Sequence, residues 1–110
     1  MADPVRVQRG DHEVVRFGPI PSTLGGWLDT TGWSTHVVVK VNERALDSTG
    51  TKIDGVFQSA DGGGDYAVYT LPASVTGQVG HSWIHALVVS PPPDSYPETI
   101  KATTLIVEAV

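Results

Sequence analysis

Hydrophobic and polar residues alternate along much of this chain, so that every second side chain is apolar in several separate stretches. The clearest stretch is GWSTHVVVKV at 32–41, where Trp33 and Val37 fall on one face and His36 and Lys40 on the other. This period of two is typical of a β-strand, whereas an amphipathic helix repeats about every 3.6 residues. The abundant valine and threonine favour the same conformation. Comparable long strands are predicted at 81–90 and 100–110.

Shorter alternating stretches bring the predicted total to about seven strands. They lie at 4–9, 12–18, 52–59 and 65–72. The segments between them are rich in the 12 Gly and 8 Pro of the chain, which favour turns. One helical turn is predicted after Leu71, and no longer segment has a helical period. Short strands at this spacing predict an antiparallel two-sheet β-sandwich in one domain, 1–110, with 1–4 a candidate N-terminal arm.

The net charge of −5 limits what such a sandwich can bind. Twelve acidic residues outnumber 7 scattered basic ones among 110 residues, which argues against nucleic acid and against an anionic membrane surface. The chain has no cysteine, so disulfides and thiolate metal sites are excluded. It also has no apolar run of signal-peptide or membrane-spanning type. We therefore expect a protein that folds in a cytoplasm on its core alone.

The sequence offers little for catalysis or metal binding. DGGGD at 61–65 lacks the Lys-Ser/Thr of a phosphate-binding loop, and its two carboxylates are too few for Ca²⁺. His81 and His85 would lie about 13 Å apart on one strand, too far to share a metal. Aspartates in or beside predicted turns, where they cap the backbone, are Asp29, Asp47, Asp54 and Asp94. We predict a non-enzymatic protein without catalytic residues, metal or cofactor.

The tripeptide Arg9-Gly10-Asp11 has the composition of an integrin-recognition motif. It lies between two predicted strands, where glycine permits a tight turn. A turn accounts for all three residues without a receptor, so we predict a structural role for the tripeptide.

Candidate contact residues stand in the two Pro-rich loops, 19–27 and 90–97. Stiff loops lose little entropy when they dock, and large side chains dominate the energy of protein interfaces. The candidates are Leu24, Trp27, Pro92 and Tyr96. An alternative is that Leu24 and Trp27 pack over the end of the sandwich.

Trp83 is a further candidate, on the strand predicted at 81–90. A tryptophan between two histidines can anchor a contact with another protein. Leu87 and Val89 continue the face of Trp83, however, and this favours a place in the core.

Three short motifs occur one after another along the chain. They are Gly10-Asp11 after the first strand, Asp29-x-Thr31-Gly32 before the third, and Tyr69-x-Leu71 before the helical turn. This order resembles the Ig-like β-sandwich domains of tailed-phage virion proteins, notably the N-terminal domain of the phage baseplate upper protein. The resemblance covers about residues 5–110 of the chain.

The resemblance implies an Ig-like fold and a structural role in a virion. The protein would be made in the host cytoplasm and incorporated when the particle assembles. Because the final strand is the last part of the match, we expect a free-standing module on the tail or baseplate, or decorating the capsid. Its partners would be other virion proteins, including the major capsid protein, and copies of itself through particle symmetry. Loops and sheet edges would make the contacts.

Carbohydrate binding is the alternative function. Carbohydrate-binding modules share the sandwich fold and stack exposed aromatic rings on sugars, which would assist adhesion to a host surface. The aromatic candidates are Trp27, Tyr66, Tyr69, Trp83 and Tyr96.

Overall fold

The computed structural model describes residues 3–10 and 12–109, which form eight strands, a 3-10 helix and one short α-helix. The strands are β1 (Val5–Gln8), β2 (His12–Phe17), β3 (Ser34–Lys40), β4 (Thr51–Asp54), β5 (Val56–Ser59), β6 (Asp65–Pro72), β7 (Gly80–Val89) and β8 (Pro97–Glu108). The 3-10 helix is Asp47–Thr49, and α1 (Ala73–Thr76) is the helical turn predicted after Leu71. Among the described residues, no helix is long and apolar enough to cross a membrane.

The strands form two sheets that pack face to face. One has the order β1-β8-β7-β3-β4 and the other β2-β6-β5. Paired strands are antiparallel apart from β1 and β8, which come from opposite ends of the chain and need no hairpin between them. Two antiparallel-rich sheets packed in this way make a β-sandwich. The predicted all-β fold is therefore confirmed, with eight described strands instead of about seven.

The core lies between the sheets and follows the predicted alternation. On β3, Thr35, Val37 and Val39 are buried, while Trp33 is partly buried at the border of the core. Val41 lies beyond the strand end and is exposed. Other core residues are Val15, Phe17, Ala67, Tyr69, Leu71, Ile84, Ala86, Val88, Leu105 and Val107.

Gly55 divides the strand predicted at 52–59 into two. Residues before it pair with β3 in one sheet, and residues after it pair with β6 in the other. The Gly55 N–H donates to the carbonyl of Thr35 at 3.0 Å, and a methyl group at Gly55 would lie 2.4 Å from Tyr69 Cδ1. Glycine therefore lets the chain cross between the sheets directly beside a buried ring.

The tripeptide at 9–11 joins β1 to β2 where the chain passes from one sheet to the other. The Arg9 N–H donates to the carbonyl of Glu108, and the Gly10 N–H to that of Thr76 at 3.1 Å. Thr76 Oγ1 donates in return to the Gly10 carbonyl at 2.7 Å. Gly10 thus occupies the predicted turn, without a positive φ, whereas Asp11 lies outside the described residues.

Residue 3 of the candidate N-terminal arm, predicted at 1–4, is hydrogen-bonded to the large sheet. The hydroxyl of Thr103 donates to the Asp3 carbonyl at 2.9 Å, so residue 3 is tied to the chain's own β8. Pro4 follows on the same sheet edge and leads into β1. Residues 1 and 2 lie outside the described part of the chain.

Candidate protein-contact site

Three loops meet at one end of the sandwich, which we call the loop end. They are residues 18–33 between β2 and β3, 60–64 between β5 and β6, and 90–96 between β7 and β8. The register places them together, because the start of β3 pairs with the end of β7, and the end of β2 with the start of β6. The loop end therefore gathers long segments that contribute no strand to either sheet.

The β2–β3 loop is anchored in the core at Ile20. This side chain is buried, and its N–H donates to the carbonyl of Asp65 at 3.0 Å. Beyond it, the Ser22 N–H donates to the Gly26 carbonyl at 2.9 Å and closes a tight turn. Leu24 stands at the tip of this turn and is 97% exposed. The loop thus holds an apolar side chain in water on an ordered support.

Trp27 lies beside that turn and packs on the glycines of the β5–β6 loop. A methyl group on Gly63 would lie 2.8 Å from Trp27 Nε1, and one on Gly64 would lie 2.9 Å from Trp27 Cγ. Both glycines have positive φ, at 101° and 77°. The DGGGD segment is therefore a close-fitting support for the indole as well as a hairpin loop. The indole remains 50% exposed, so it both covers the sandwich end and offers a contact surface.

The predicted turn before β3 also belongs to this end. The Thr31 N–H donates to Asp29 Oδ1 at 3.1 Å, and hydrogen bonds from Thr31 lower the pKa of the Asp29 carboxyl. Gly32 follows with a φ of 80°. Thr30 Oγ1 donates to a carboxylate oxygen of Asp65 at the start of β6. The turn therefore joins the β2–β3 loop to the opposite sheet.

The β7–β8 loop closes on itself next to that turn. The Ser90 N–H donates to the Tyr96 carbonyl at 3.0 Å, and the Tyr96 N–H donates to Ser90 Oγ at 2.7 Å. Pro91 packs beside Gly32, where an added methyl group would meet its Cγ at 3.2 Å. Pro92 is exposed, and Tyr96 is 68% exposed. Four of the five candidate contact residues, Leu24, Trp27, Pro92 and Tyr96, thus share one end of the molecule.

Trp83 lies elsewhere, on the outer face of the five-stranded sheet. The residues of β7 that face the core are Ile84, Ala86 and Val88, so the favoured core position for Trp83 is wrong. The indole is partly buried beside a groove of about 650 Å³. The other residues lining this groove are Pro4, Glu43, His81, Ala102, Thr103, Thr104 and Ile106.

Of the other aromatic candidates, Tyr69 is excluded from surface contacts. Its side chain is fully buried in the core and packs against Phe17, with ring centroids 5.9 Å apart. Tyr66 is only partly exposed, near the start of β6. Aromatic stacking on a ligand is therefore restricted chiefly to Trp27, Trp83 and Tyr96.

A polar network on the outer face of the five-stranded sheet was not anticipated from sequence. Lys40 Nζ donates to Asp47 Oδ1 at 2.7 Å, and His85 Nδ1 lies 2.9 Å from Asp47 Oδ2. His85 Nε2 in turn lies 2.7 Å from Thr99 Oγ1. The hydrogen bond from Lys40 lowers the pKa of the Asp47 carboxyl, and the hydrogen bond with His85 lowers it further.

Thr99, His85 and Asp47 are linked in the order of a hydroxyl, a base and a carboxylate, as in enzymes that activate a hydroxyl nucleophile. The surroundings of these residues indicate a structural role instead. The ammonium group of Lys40 neutralises the Asp47 carboxylate, which would otherwise orient and stabilise the His85 imidazole. The same contacts fasten the segment at 41–50 over Val38, which is buried although it points away from the core. Within the described residues, no group of three or more His, Asp or Glu could hold a metal ion.

The loop end is thus an ordered surface with exposed apolar side chains, which suits contact with another protein. No protein-family model matches this chain, and no curated protein matches its sequence.

Proposed function

We propose that this protein is a non-enzymatic structural component of a tailed-phage virion, attached to its tail, baseplate or capsid through the loop end. The observation that carries the proposal is Leu24, 97% exposed at the tip of a hydrogen-bonded turn. Burying such a side chain in a partner gains about 1.5–3 kcal/mol. Because the turn is already ordered, little of that gain is lost to fixing the loop.

Trp27 and Tyr96 extend this apolar surface on neighbouring loops. Both rings are at least half exposed, and aromatic side chains are enriched among the residues that dominate interface energies. A single small contact of about 600–800 Å² per partner binds weakly, but repeated copies in a symmetric particle bind strongly together. A small module of this type therefore suits a multicopy position in a virion.

The virion setting is supported by the order of motifs that resembles phage Ig-like domains. Each motif forms the expected local structure: Gly10 lies in the β1–β2 turn, Asp29 caps the turn before β3, and α1 follows Leu71. Strands at sheet edges, such as β1 and β5, are secondary contact candidates, since the described sheets leave one side of each without a paired strand.

The proposal is tested by replacing Leu24 with serine in particles of the phage that encodes the chain. We expect Leu24→Ser to lower the number of copies per particle about tenfold, since loss of one apolar anchor weakens every contact. Quantitative mass spectrometry of purified particles measures the copies. Leu46→Ser is the matched control, because Leu46 is 71% exposed on a different part of the surface.

Unchanged incorporation of Leu24→Ser would overturn the loop end as the attachment surface. If the wild-type chain were missing from the particles, the virion role itself would be wrong. Equal losses for Leu24→Ser and Leu46→Ser would point to an effect unrelated to the loop end, and would also contradict the proposal.

Carbohydrate binding is the second candidate, and the groove beside Trp83 favours it. There an indole lies next to Glu43, His81 and Thr104, whose polar groups can hydrogen-bond to sugar hydroxyls. Glycan-array binding that Trp83→Ala abolishes and Trp27→Ala preserves would support this function. Failure of the wild-type protein to bind any glycan would exclude it for the sugars tested.

A further inference from the structure

The loop end is acidic throughout. Its three loops, 18–33, 60–64 and 90–96, together with Asp65 at the start of β6, contain no Lys, Arg or His. All seven basic residues are in other parts of the chain. The acidic residues of the loop end are Asp29, Asp61, Asp65 and Asp94.

Three of these aspartates are available to a partner. Asp29, Asp61 and Asp94 are exposed, one on each of the three loops. The pKa of Asp29 is lowered by hydrogen bonds from Thr31, so its carboxylate stays charged well below neutral pH. Asp65 is partly buried and accepts a hydrogen bond from the Thr30 hydroxyl, so its role is to hold the loop end together. The apolar tip at Leu24 is therefore accompanied by negative charge on every neighbouring loop.

We infer that the loop end docks onto a protein surface that presents an apolar pocket surrounded by lysine and arginine. This inference rests on the proposed function and specifies the chemistry of the partner. Leu24 would enter the pocket, and the removal of its apolar surface from water would supply most of the affinity. The aspartates would face the basic rim, where charge pairs speed association and exclude acidic surfaces. Phosphate-rich partners such as nucleic acid are repelled by the same carboxylates.

The test uses purified virions that lack the chain as the probe and adds back the purified domain. Binding is measured at about 0.1 M and about 1 M NaCl, where the Debye length is about 10 Å and about 3 Å. The test variant Asp61→Asn/Asp94→Asn removes two exposed charges that the described hydrogen bonds do not use. The control, Glu13→Gln/Glu108→Gln, removes two charges at the opposite end of the sandwich, where β2 begins and β8 ends. Leu24→Ser reports on the apolar contact, and thermal melts confirm that each variant is folded.

We expect Asp61→Asn/Asp94→Asn to bind about three- to tenfold more weakly than wild type at the lower salt concentration, and within about twofold at the higher one. The control variant should match wild type at both concentrations. Leu24→Ser should lose binding at both, because burial of apolar surface is not screened by salt.

The outcomes separate this inference from the proposed function. If Asp61→Asn/Asp94→Asn matches wild type at both salt concentrations while Leu24→Ser loses binding, the basic rim is wrong and the loop-end attachment stands. Equal weakening by Asp61→Asn/Asp94→Asn and the control would also overturn the rim, because net charge alone would explain it. If the wild-type domain does not bind the depleted virions, both proposals fail. Saturable self-association at the loop end, blocked by Leu24→Ser, would replace the basic partner with a second copy of this chain.

Discussion

The hydroxyl of Tyr69 is hydrogen-bonded to the hydroxyl of Thr35 inside the core, and this contact joins the two sheets. Thr35 Oγ1 donates onward to the Leu87 carbonyl at 2.8 Å, so Tyr69 is the donor to Thr35. Tyr69 stands on β6 of the small sheet, whereas Thr35 and Leu87 stand on β3 and β7 of the large one. A chain of hydrogen bonds therefore crosses a sandwich that has no disulfide to link its sheets.

The first prediction follows from the burial of this phenol, which raises the pKa of Tyr69 to about 12. An unfolded tyrosine ionises near pH 10, so the stabilisation is complete below about pH 10 and is lost as the pH rises towards about 12. Between these limits the wild type should lose roughly 2–3 kcal/mol of unfolding free energy that Tyr69→Phe does not lose. Urea unfolding at a series of alkaline pH values measures the difference.

Tyr96→Phe is the control, because Tyr96 is 68% exposed at the loop end. Its unfolding free energy should follow that of the wild type through the alkaline range. Parallel curves for wild type and Tyr69→Phe would show that the buried phenol does not set alkaline stability.

The second prediction concerns Gly55, where the chain crosses between the sheets. An alanine methyl group would lie 2.4 Å from Tyr69 Cδ1 and 2.7 Å from the Val68 carbonyl oxygen. Because the ring is buried and the carbonyl is backbone, neither can move away freely. We expect Gly55→Ala to lower the unfolding free energy by about 1–3 kcal/mol, the usual cost of overpacking a core.

The control for this substitution is Gly62→Ala. Nothing lies within 4 Å of a methyl group at Gly62, which stands in the β5–β6 loop. Its effect on urea unfolding should stay within about 0.5 kcal/mol, as for other surface substitutions. A stability loss at Gly62 equal to that at Gly55 would contradict the steric explanation.

The two-sheet fold could be predicted because the strands are short, rich in valine and threonine, and separated by turn-forming segments at regular spacing. The division at Gly55 could not, because period two is a local signal, whereas the choice of sheet depends on pairing with β3 and β6 far along the chain. The stretch at 52–59 has apolar residues at 53, 56 and 57 and contains no proline, so the sequence predicts one strand there.

The wrong position favoured for Trp83 has a related cause. Both faces of β7 are apolar, with Ile84 and Val88 on one and Trp83 and Leu87 on the other. Alternation fixes which residues share a face, but it does not say which face meets the core. Leu87 is buried without belonging to the core cluster, so its apolar character gave no guide.

The polar network of His85 was equally beyond a reading of the sequence. Its partners, Asp47 and Thr99, are 38 and 14 residues away along the chain. A register shift between β7 and β8 after Ala86 places Thr99 opposite Leu87, on the outer face with His85. Such irregularities depend on the paired sheet and leave no mark on the period of a single strand.

The sequence indicated which residues could form a contact site, but it did not show that they lie together on the fold. Leu24 and Tyr96 stand out in the sequence as large side chains within turn-forming segments. That their loops meet at one end follows from the strand register, which sequence alone did not supply. The fit of Trp27 against Gly63 and Gly64 joins segments 36 residues apart, counting from residue 27 to residue 63, and could only be found in three dimensions.

The third prediction concerns Thr76, which holds the turn between β1 and β2. Its buried hydroxyl donates to the Gly10 carbonyl at 2.7 Å. Thr76→Val keeps the volume but removes the donor, so we expect a loss of about 1–3 kcal/mol in unfolding free energy. Thr70→Val is the control, since Thr70 is exposed on β6 and should tolerate valine. An equal cost at both positions would mean that the hydrogen bond to Gly10 contributes little.

The last prediction separates packing from contact at the loop end. Trp27 is half buried and packs on Gly63 and Gly64, so Trp27→Ser should lower the unfolding free energy by about 1–2 kcal/mol. Leu24 is 97% exposed, and Leu24→Ser should change it by less than about 0.5 kcal/mol. Urea unfolding of the isolated domain measures both.

Leu24 is therefore the better residue for testing attachment, because its substitution removes a contact surface without weakening the fold. If Leu24→Ser destabilised the domain as much as Trp27→Ser, the leucine would belong to the packing of the sandwich end. A loss of Leu24→Ser from particles would then report on folding, and the turn at 22–26 would no longer support a docking role.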